Sequence, residues 1–192
     1  MRLAQISGGE VMREAQGLSG FWVFAYGSLM WRPGFAFAER LTGRVHGFHR
    51  SLCIYSHIYR GTPECPGLVM GLDRGGSCMG VAFRVAENDW LQAHAYLRER
   101  ELITDVYQEK YLSVRLADGR VARALAYVAD RRHAQYAGRL SREHLLAFVR
   151  QGCGQAGANA DYVRMTHGHL RELGLEDDLL SWLEHQLAAT PA

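Results

Sequence analysis

A glycine and a serine end the first strongly apolar run of this sequence, and their backbone groups are its first candidates for chemistry. The run Phe21–Tyr26 has strand character, and Gly27, Ser28 and Leu29 follow it directly. A glycine at the end of a buried strand allows a sharp turn and the close approach of a ligand. The amide N–H groups of Gly27, Ser28 and Leu29 then converge on a carboxylate or a developing oxyanion. The alternative is an ordinary turn, because strand–turn junctions are common.

Glu101 is a carboxylate on the apolar face of a predicted helix. Helical spacing puts it on one side with Trp90 and Leu97, and it puts Glu99 on the opposite, solvent side. Burial of an unpaired carboxylate is costly or raises its pKa, and a carboxylate with a raised pKa that faces a pocket is a candidate general base. The alternative is a structural ion pair with an arginine, for which the candidates are Arg50, Arg60, Arg98 and Arg100.

A rigid loop is predicted from Arg60 to Gly67, where two prolines and two glycines occur within eight residues. Arg60 and Glu64 are candidates to hold the charged ends of a zwitterionic ligand, the arginine its carboxylate and the glutamate its ammonium group. The alternative is that these two side chains pair with each other and hold the loop.

Composition excludes several classes of function. The 192 residues are 48% hydrophobic, enough for a core, and no apolar run reaches the length of a membrane span. The formal charge of +2 comes without a dense lysine or arginine block, which argues against nucleic acid as a partner. The nine histidines and four cysteines show no metal-ligand spacing and no CxxC pair. We therefore expect no metal, no signal peptide and reduced thiols in the cytoplasm.

The first half of the chain has the pattern of short strands followed by a helix. Short apolar runs broken by Gly, Pro and Asp predict strands at Phe21–Tyr26, Leu41–Phe48, Leu52–Tyr55, Gly67–Leu72 and Met79–Val85. The segment Asp73–Ser77 predicts a turn between the last two strands. A helix is expected to open at Glu87, with Asn88 or Asp89 as its N-cap.

The second half adds a hairpin and three helices. A turn at Ala117–Gly119 is predicted between the strands Tyr107–Arg115 and Arg120–Val128. Helices are expected at Ser141–Arg150, Ala160–Leu173 and Glu176–Leu187. These elements predict an α+β fold, a small and partly closed mixed β-barrel with helices packed outside. We expect one domain over residues 21–187, behind a mobile or loosely helical N-terminal lead-in of residues 1–20.

Three segments, in this order, resemble motifs of the ChaC-type γ-glutamylcyclotransferases: Trp22–Pro33, Tyr59–Gly67 and Tyr96–Glu101. Later segments with the same resemblance are Tyr136–Gly138, Gly157–Asn159 and Asp161–Tyr162, so that it covers most of the chain. The departures are mild. Ala25 stands where the family often has glycine, and Gln155–Asn159 is a variant of the usual Ser-Gly-x-Asn.

The resemblance implies a γ-glutamylcyclotransferase-like fold and cleavage of glutathione to 5-oxoproline and Cys-Gly, with no metal or cofactor. It also implies that the loop from Tyr26 to Leu29 holds the γ-glutamyl group and that Glu101 is the acid/base. Arg60 and Tyr111 are further candidates for substrate binding, and the hydroxyl of Tyr26 is a candidate to orient the substrate.

Other functions stay open at this point. The same reaction on another γ-glutamyl amine or peptide is one alternative, and an amide hydrolase that releases glutamate is another. A third is a non-catalytic regulator of cation transport, which the historical name of the family suggests. The glutamate at position 101 and the intact Gly27-Ser28 loop favour catalysis. Reduced glutathione is the expected partner, and the chain is expected to be a monomer or a weak dimer.

Overall fold

A computed structural model of the protein describes residues 20–189, so the predicted lead-in lies outside the described residues apart from Gly20. These residues form two compact units, 20–49 with 74–128 and 50–73 with 129–189. The strands are β1 (Phe21–Ala25), β2 (Glu39–Ser56), β3 (Gly67–Val85), β4 (Tyr107–Leu116), β5 (Val121–Ala129), β6 (Cys153–Gly154) and β7 (Gly157–Ala158). The helices are α1 (Glu87–Glu101), α2 (Arg142–Gln151), α3 (Asn159–Glu172) and α4 (Asp178–Ala188), and a 3-10 turn covers Ser28–Met30.

The first five strands form a closed barrel in the order β1-β3-β2-β4-β5. Strand β1 pairs with β3 in antiparallel fashion, Phe21 opposite Val85, and with β5 in parallel fashion, Trp22 opposite Ala124. Every residue of β1 is buried, as expected for a strand covered on both faces. The structure thus confirms the predicted α+β mixed barrel, although the barrel is closed and not partly open.

Two long strands replace four predicted short ones. The chain continues without a break through Gly47 in β2 and through the predicted turn Asp73–Ser77 in β3, so that turn prediction is wrong. The physical reason lies in the glycines. Gly47, Gly75 and Gly76 have φ values of 81°, 103° and 66°, which side chains rarely adopt. The strands nevertheless continue through all three glycines and stay in the barrel, so these glycines do not mark the end of a strand.

The predicted hairpin and the four predicted helices are confirmed with small shifts of the boundaries, whereas the short strands β6 and β7 were not predicted. Strands β4 and β5 form the expected hairpin, with Gly119 at φ 90° in its turn. Ser141 caps helix α2 by accepting a hydrogen bond from the amide of His144. The predicted cap of α1 is wrong, because the N-cap position is Ala86 and no side chain caps this helix.

Helices α2, α3 and α4 pack on one another in the second unit, next to the short β6–β7 pair. Asn159, the first residue of α3, is fully buried and bonds the backbone of Leu68 twice. Its Oδ1 accepts from the Leu68 amide at 2.7 Å, and its Nδ2 donates to the Leu68 carbonyl at 2.7 Å. A Cβ atom on Gly67 would lie 2.9 Å from Asn159 Oδ1 and 2.1 Å from the Arg60 carbonyl oxygen, so this approach requires glycine.

Replacement of Asn159 by alanine is expected to lower the free energy of unfolding by about 2–4 kcal/mol, because the buried amide and carbonyl of Leu68 both lose their partner. Urea denaturation followed by circular dichroism measures this change. The matched control is Asn88→Ala at an exposed position of α1, which should stay within about 0.5 kcal/mol of the parent. A loss that equals the control would contradict the assigned role of Asn159.

Candidate active site

The Gly27-Ser28 loop starts at a fixed point, because β1 ends at Ala25 between two barrel strands. The 3-10 turn that follows is closed by the amide of Met30, which donates to the Gly27 carbonyl at 2.9 Å. The amide of Arg32 donates to the Ser28 carbonyl, also at 2.9 Å. The first N–H groups of a helical turn have no acceptor within the turn. The convergence of the amides of Gly27, Ser28 and Leu29 on a carboxylate or an oxyanion stays a prediction.

Tyr26 holds the start of this loop on strand β5. Its side chain is buried, and its hydroxyl donates to the carbonyl of Tyr127 at 2.7 Å. This contact gives Tyr26 a packing role inside the first unit. Its predicted role in orienting a substrate stays a prediction.

Glu101 is the last residue of α1, and its side chain is only 18% exposed. Trp90, Ala93 and Leu97 are buried on the same helix face, whereas Glu99 is exposed, as the helical spacing predicts. Burial raises the pKa of Glu101 above its usual value, and the neighbouring Arg100 guanidinium reduces this rise without cancelling it. The carboxyl group is therefore a better proton acceptor than a solvated glutamate would be.

Arg100 joins the carboxylate to the loop. Its Nε lies 3.1 Å from Glu101 Oε1, and its Nη2 donates to Ser28 Oγ at 3.0 Å. Its Nη1 donates to the Arg32 carbonyl at 2.6 Å and to the Tyr96 hydroxyl at 3.0 Å. The sequence suggested Arg100 only as one of four candidate ion-pair partners of Glu101, and the pairing with Ser28 was not predicted.

A second carboxylate, Glu109 on β4, belongs to a separate hydrogen-bonded cluster in the same unit. His94 Nε2 lies 2.9 Å from its Oε1, Arg98 donates to its Oε2, and the Tyr127 hydroxyl donates to Oε1 at 3.1 Å. Burial would raise the pKa of Glu109, but the hydrogen bond and charge of His94 and the charge of Arg98 hold it below its usual value.

Tyr127 is the residue that sequence reasoning missed. It is 1% exposed on β5, and burial raises the pKa of its hydroxyl, with further rises from the negative charges of Glu109 and Glu101. Its hydroxyl thus stays protonated within the field of both carboxylates. The available signal was a single hydroxyl-bearing side chain in the otherwise apolar run Ala122–Ala129, apart from Arg123.

The other predicted site residues have partners of their own. Tyr111 is half-buried on β4, with the Arg123 guanidinium 5.4 Å from the centre of its ring. In the second unit, Arg60 donates to the Ala158 carbonyl at 3.0 Å and lies 5.5 Å from the Tyr162 ring centre. These contacts tie the Arg60–Gly67 loop to the start of α3, and the substrate contacts of Arg60 and Tyr111 stay predictions.

Glu64 does not share the environment of Glu101. Its side chain is exposed, and hydrogen bonds from its own amide and from Thr62 lower its pKa. Within residues 20–189, no three His, Cys, Asp or Glu side chains are grouped to hold a metal ion. No helix in that part of the chain is long and apolar enough to cross a membrane.

Comparisons with a family model and with curated relatives point to the same family. The family described as ChaC-like protein matches residues 21–190. The glutathione-specific γ-glutamylcyclotransferase of Escherichia coli K12 is 36% identical over 160 residues, which cover 83% of this chain and 69% of that protein. Human glutathione-specific γ-glutamylcyclotransferase 1 is 33% identical over 146 residues, covering 74% of this chain and 66% of that protein.

A solved structure supports the same assignment at the level of the fold. The crystal structure of a yeast γ-glutamyl cyclotransferase specific to glutathione has a TM-score of 0.80 at 20% identity, covering 88% of this chain and 96% of the yeast chain. The resemblance drawn from the motifs is confirmed over both compact units, and the chain belongs to the ChaC-like family.

Proposed function

We propose that this protein is a glutathione-specific γ-glutamylcyclotransferase, which cleaves glutathione into 5-oxoproline and Cys-Gly. The names of its relatives from Escherichia coli and human support the substrate. The observation that carries the mechanism is a buried carboxylate, Glu101, connected through one guanidinium to the Gly27-Ser28 loop.

The reaction needs no nucleophile from the protein. The α-amine of the substrate attacks its own γ-carbonyl carbon, and the new C–N bond closes a five-membered lactam. The bond between that carbon and the cysteinyl nitrogen then breaks. The enzyme must hold the substrate in the folded, attacking shape, and such positioning supplies roughly 7 kcal/mol or more of the barrier.

Glu101 moves the protons in this scheme. As a carboxylate it takes one proton from the substrate α-ammonium, which frees the lone pair for attack. As a carboxylic acid it then gives that proton to the departing cysteinyl nitrogen, and the second proton that the attacking nitrogen loses as it becomes the lactam N–H passes to solvent. A pKa raised by burial suits a group that must accept and return a proton near neutral pH.

The loop supplies the binding groups. The amides of Gly27, Ser28 and Leu29 offer the positive ends of their dipoles to the substrate α-carboxylate or to the tetrahedral oxyanion. Tyr26, Arg60 and Tyr111 are the further residues that we expect to contact the substrate. The four free cysteines, Cys53, Cys65, Cys78 and Cys153, suit a reducing compartment, and we place the reaction in the cytoplasm.

Product analysis tests both the reaction and its base. Wild-type protein with millimolar reduced glutathione and no added metal is expected to release 5-oxoproline and Cys-Gly, detected by mass spectrometry. Glu101→Gln should lose at least about 100-fold in kcat, because the amide cannot accept the proton. Glu99→Gln is the matched control, an exposed glutamate on the same helix, and should keep the parent rate.

Each alternative leaves a different product pattern. Free glutamate in place of 5-oxoproline would identify a hydrolase, and intact glutathione with turnover of γ-Glu-Ala would identify another γ-glutamyl substrate. No turnover of any γ-glutamyl compound would favour a non-catalytic role. Full activity in Glu101→Gln would keep the reaction but remove Glu101 as its acid/base.

The pH dependence of kcat/KM follows from the raised pKa of Glu101. Activity should rise with pH as the carboxyl group of the free enzyme ionises, and this acidic limb should lie above about 4.3, the usual pKa of glutamate. Initial rates at low substrate concentration, measured from about pH 4 to about pH 8, give the position of this limb. The Glu99→Gln profile should overlay that of the parent. A limb at the usual glutamate value would contradict the assignment.

The same pKa shift predicts how stability responds to pH. A pKa raised in the folded state gives stability that is complete below the unfolded pKa and is lost as pH rises through the folded pKa. Glutamine has no such dependence, so Glu101→Gln should gain stability relative to wild type between acidic and neutral pH. Urea midpoints at both pH values measure the difference. A relative loss at neutral pH would show that the ionised carboxylate stabilises the fold.

A further inference from the structure

We propose that Arg100 is the positioning residue of this site: one guanidinium fixes the Gly27–Arg32 loop against the end of helix α1 and holds Glu101 beside it. The inference rests on the proposed function for its kinetic consequences, whereas its structural part concerns only contacts within the first unit. Arg100 reaches the reaction through Ser28 and Glu101 and needs no contact with the substrate.

All three nitrogens of the Arg100 guanidinium take part in these contacts. Each of its three nitrogens has a different partner: Nε contacts the Glu101 carboxylate, Nη2 the Ser28 hydroxyl, and Nη1 the carbonyl of Arg32. A planar group with donors in a fixed fork sets the distances between its partners. Lysine carries the same charge on a flexible stem without this fork, so it cannot hold the three partners in one arrangement.

A second contact, between Gly34 and Tyr96, brings the loop against the same turn of helix α1. Gly34 has φ 75°, and a Cβ atom there would lie 2.0 Å from the Tyr96 hydroxyl. That hydroxyl also accepts from Arg100 Nη1 at 3.0 Å. The chain from Ser28 to Gly34 is therefore held at both ends by one turn of α1, Tyr96 to Arg100. The side chain of Arg100 is 24% exposed, so most of it is covered by these contacts and the neighbouring chain.

Arg100 is also the cation that faces the carboxylate. The Tyr127 hydroxyl on β5 is affected by the charge of Glu101 but is itself neutral, because its pKa is raised. The Tyr127 hydroxyl donates to the Glu109 carboxylate on β4, which is also paired with Arg98 and His94. Arg98, the nearest other arginine of α1, is thus already engaged. Loss of the charge at position 100 leaves Glu101 to the effect of burial, which favours its protonated form.

Two variants separate the two effects. Arg100→Gln removes both the fork and the charge, so kcat/KM should fall roughly 10- to 100-fold, and the acidic limb should move to higher pH. Arg100→Lys keeps the charge without the fork, so KM should rise while the limb stays closer to that of the parent. Arg115→Gln, an exposed arginine on β4, is the control for loss of one positive charge. A merely structural role would lower the rate in both variants without moving the limb.

Two measurements test the positioning role of Arg100 without an activity assay. Hydrogen exchange at the Met30 and Arg32 amides should accelerate in Arg100→Gln and in Ser28→Ala, but not in Arg115→Gln. NMR titration of ¹³C-labelled glutamate should place the Glu101 carboxyl transition at higher pH in Arg100→Gln than in wild type. Where Arg100→Gln does not fold, Arg100→Lys and Ser28→Ala supply the exchange test.

The outcomes distinguish this inference from the proposed function. Unchanged exchange and an unchanged Glu101 titration in Arg100→Gln would overturn the positioning role, even if the wild type makes 5-oxoproline. A wild type that makes no 5-oxoproline would overturn the proposed function, and the exchange and titration results would still decide whether Arg100 fixes the loop and the carboxylate.

Discussion

The burial of the Glu101 carboxylate at the end of helix α1 is the constraint on which the candidate site depends. Helix α1 presents Trp90 and Leu97 to the core, and Trp90 stacks on Phe21 of β1 with ring centroids 4.9 Å apart. This packing fixes the rotation of the helix and places Glu101, one turn beyond Leu97, on the same largely buried face. Its ionised form then depends on a single neighbouring guanidinium, and burial keeps the pKa raised. The fold thereby keeps the pKa of this carboxylate raised, as the proposed acid/base role requires.

The barrel contributes by fixing where the Gly27-Ser28 loop begins, which we propose to bind the substrate. At the end of β1, a Cβ atom on Gly80 of β3 would lie 2.2 Å from the Ala25 carbonyl oxygen, so the two strands approach as closely as backbones allow. Tyr26, the residue after β1, then bonds to β5, because its hydroxyl donates to the Tyr127 carbonyl. A loop that starts from a strand held on both sides has little freedom at its origin. Arg100 has only to fix its far side, between Ser28 and Arg32.

Local patterns predicted what depends on local spacing. The period of a helix placed Glu101 with Trp90 and Leu97, and a strand followed by Gly27-Ser28 predicted the loop. The long strands were missed because glycines at positive φ, such as Gly75, look like turns when partner strands are unknown. The Glu109–Tyr127 pair depends on barrel register and hydroxyl direction, and Asn159 depends on contact with Leu68, 91 positions earlier. No single-sequence period encodes such pairs.

The contrast between the two buried carboxylates explains why Glu101 is the proposed base. Both lie near Tyr127, whose hydroxyl is affected by the charge of each. Glu109 accepts hydrogen bonds from Tyr127 and Arg98 and pairs with His94, so its anion is stabilised and its pKa lowered. A stabilised anion is a weak base. Glu101 has one cation beside it and a raised pKa, so its anion is the stronger base. These opposite environments are the reason that we propose Glu101, and not Glu109, for proton transfer.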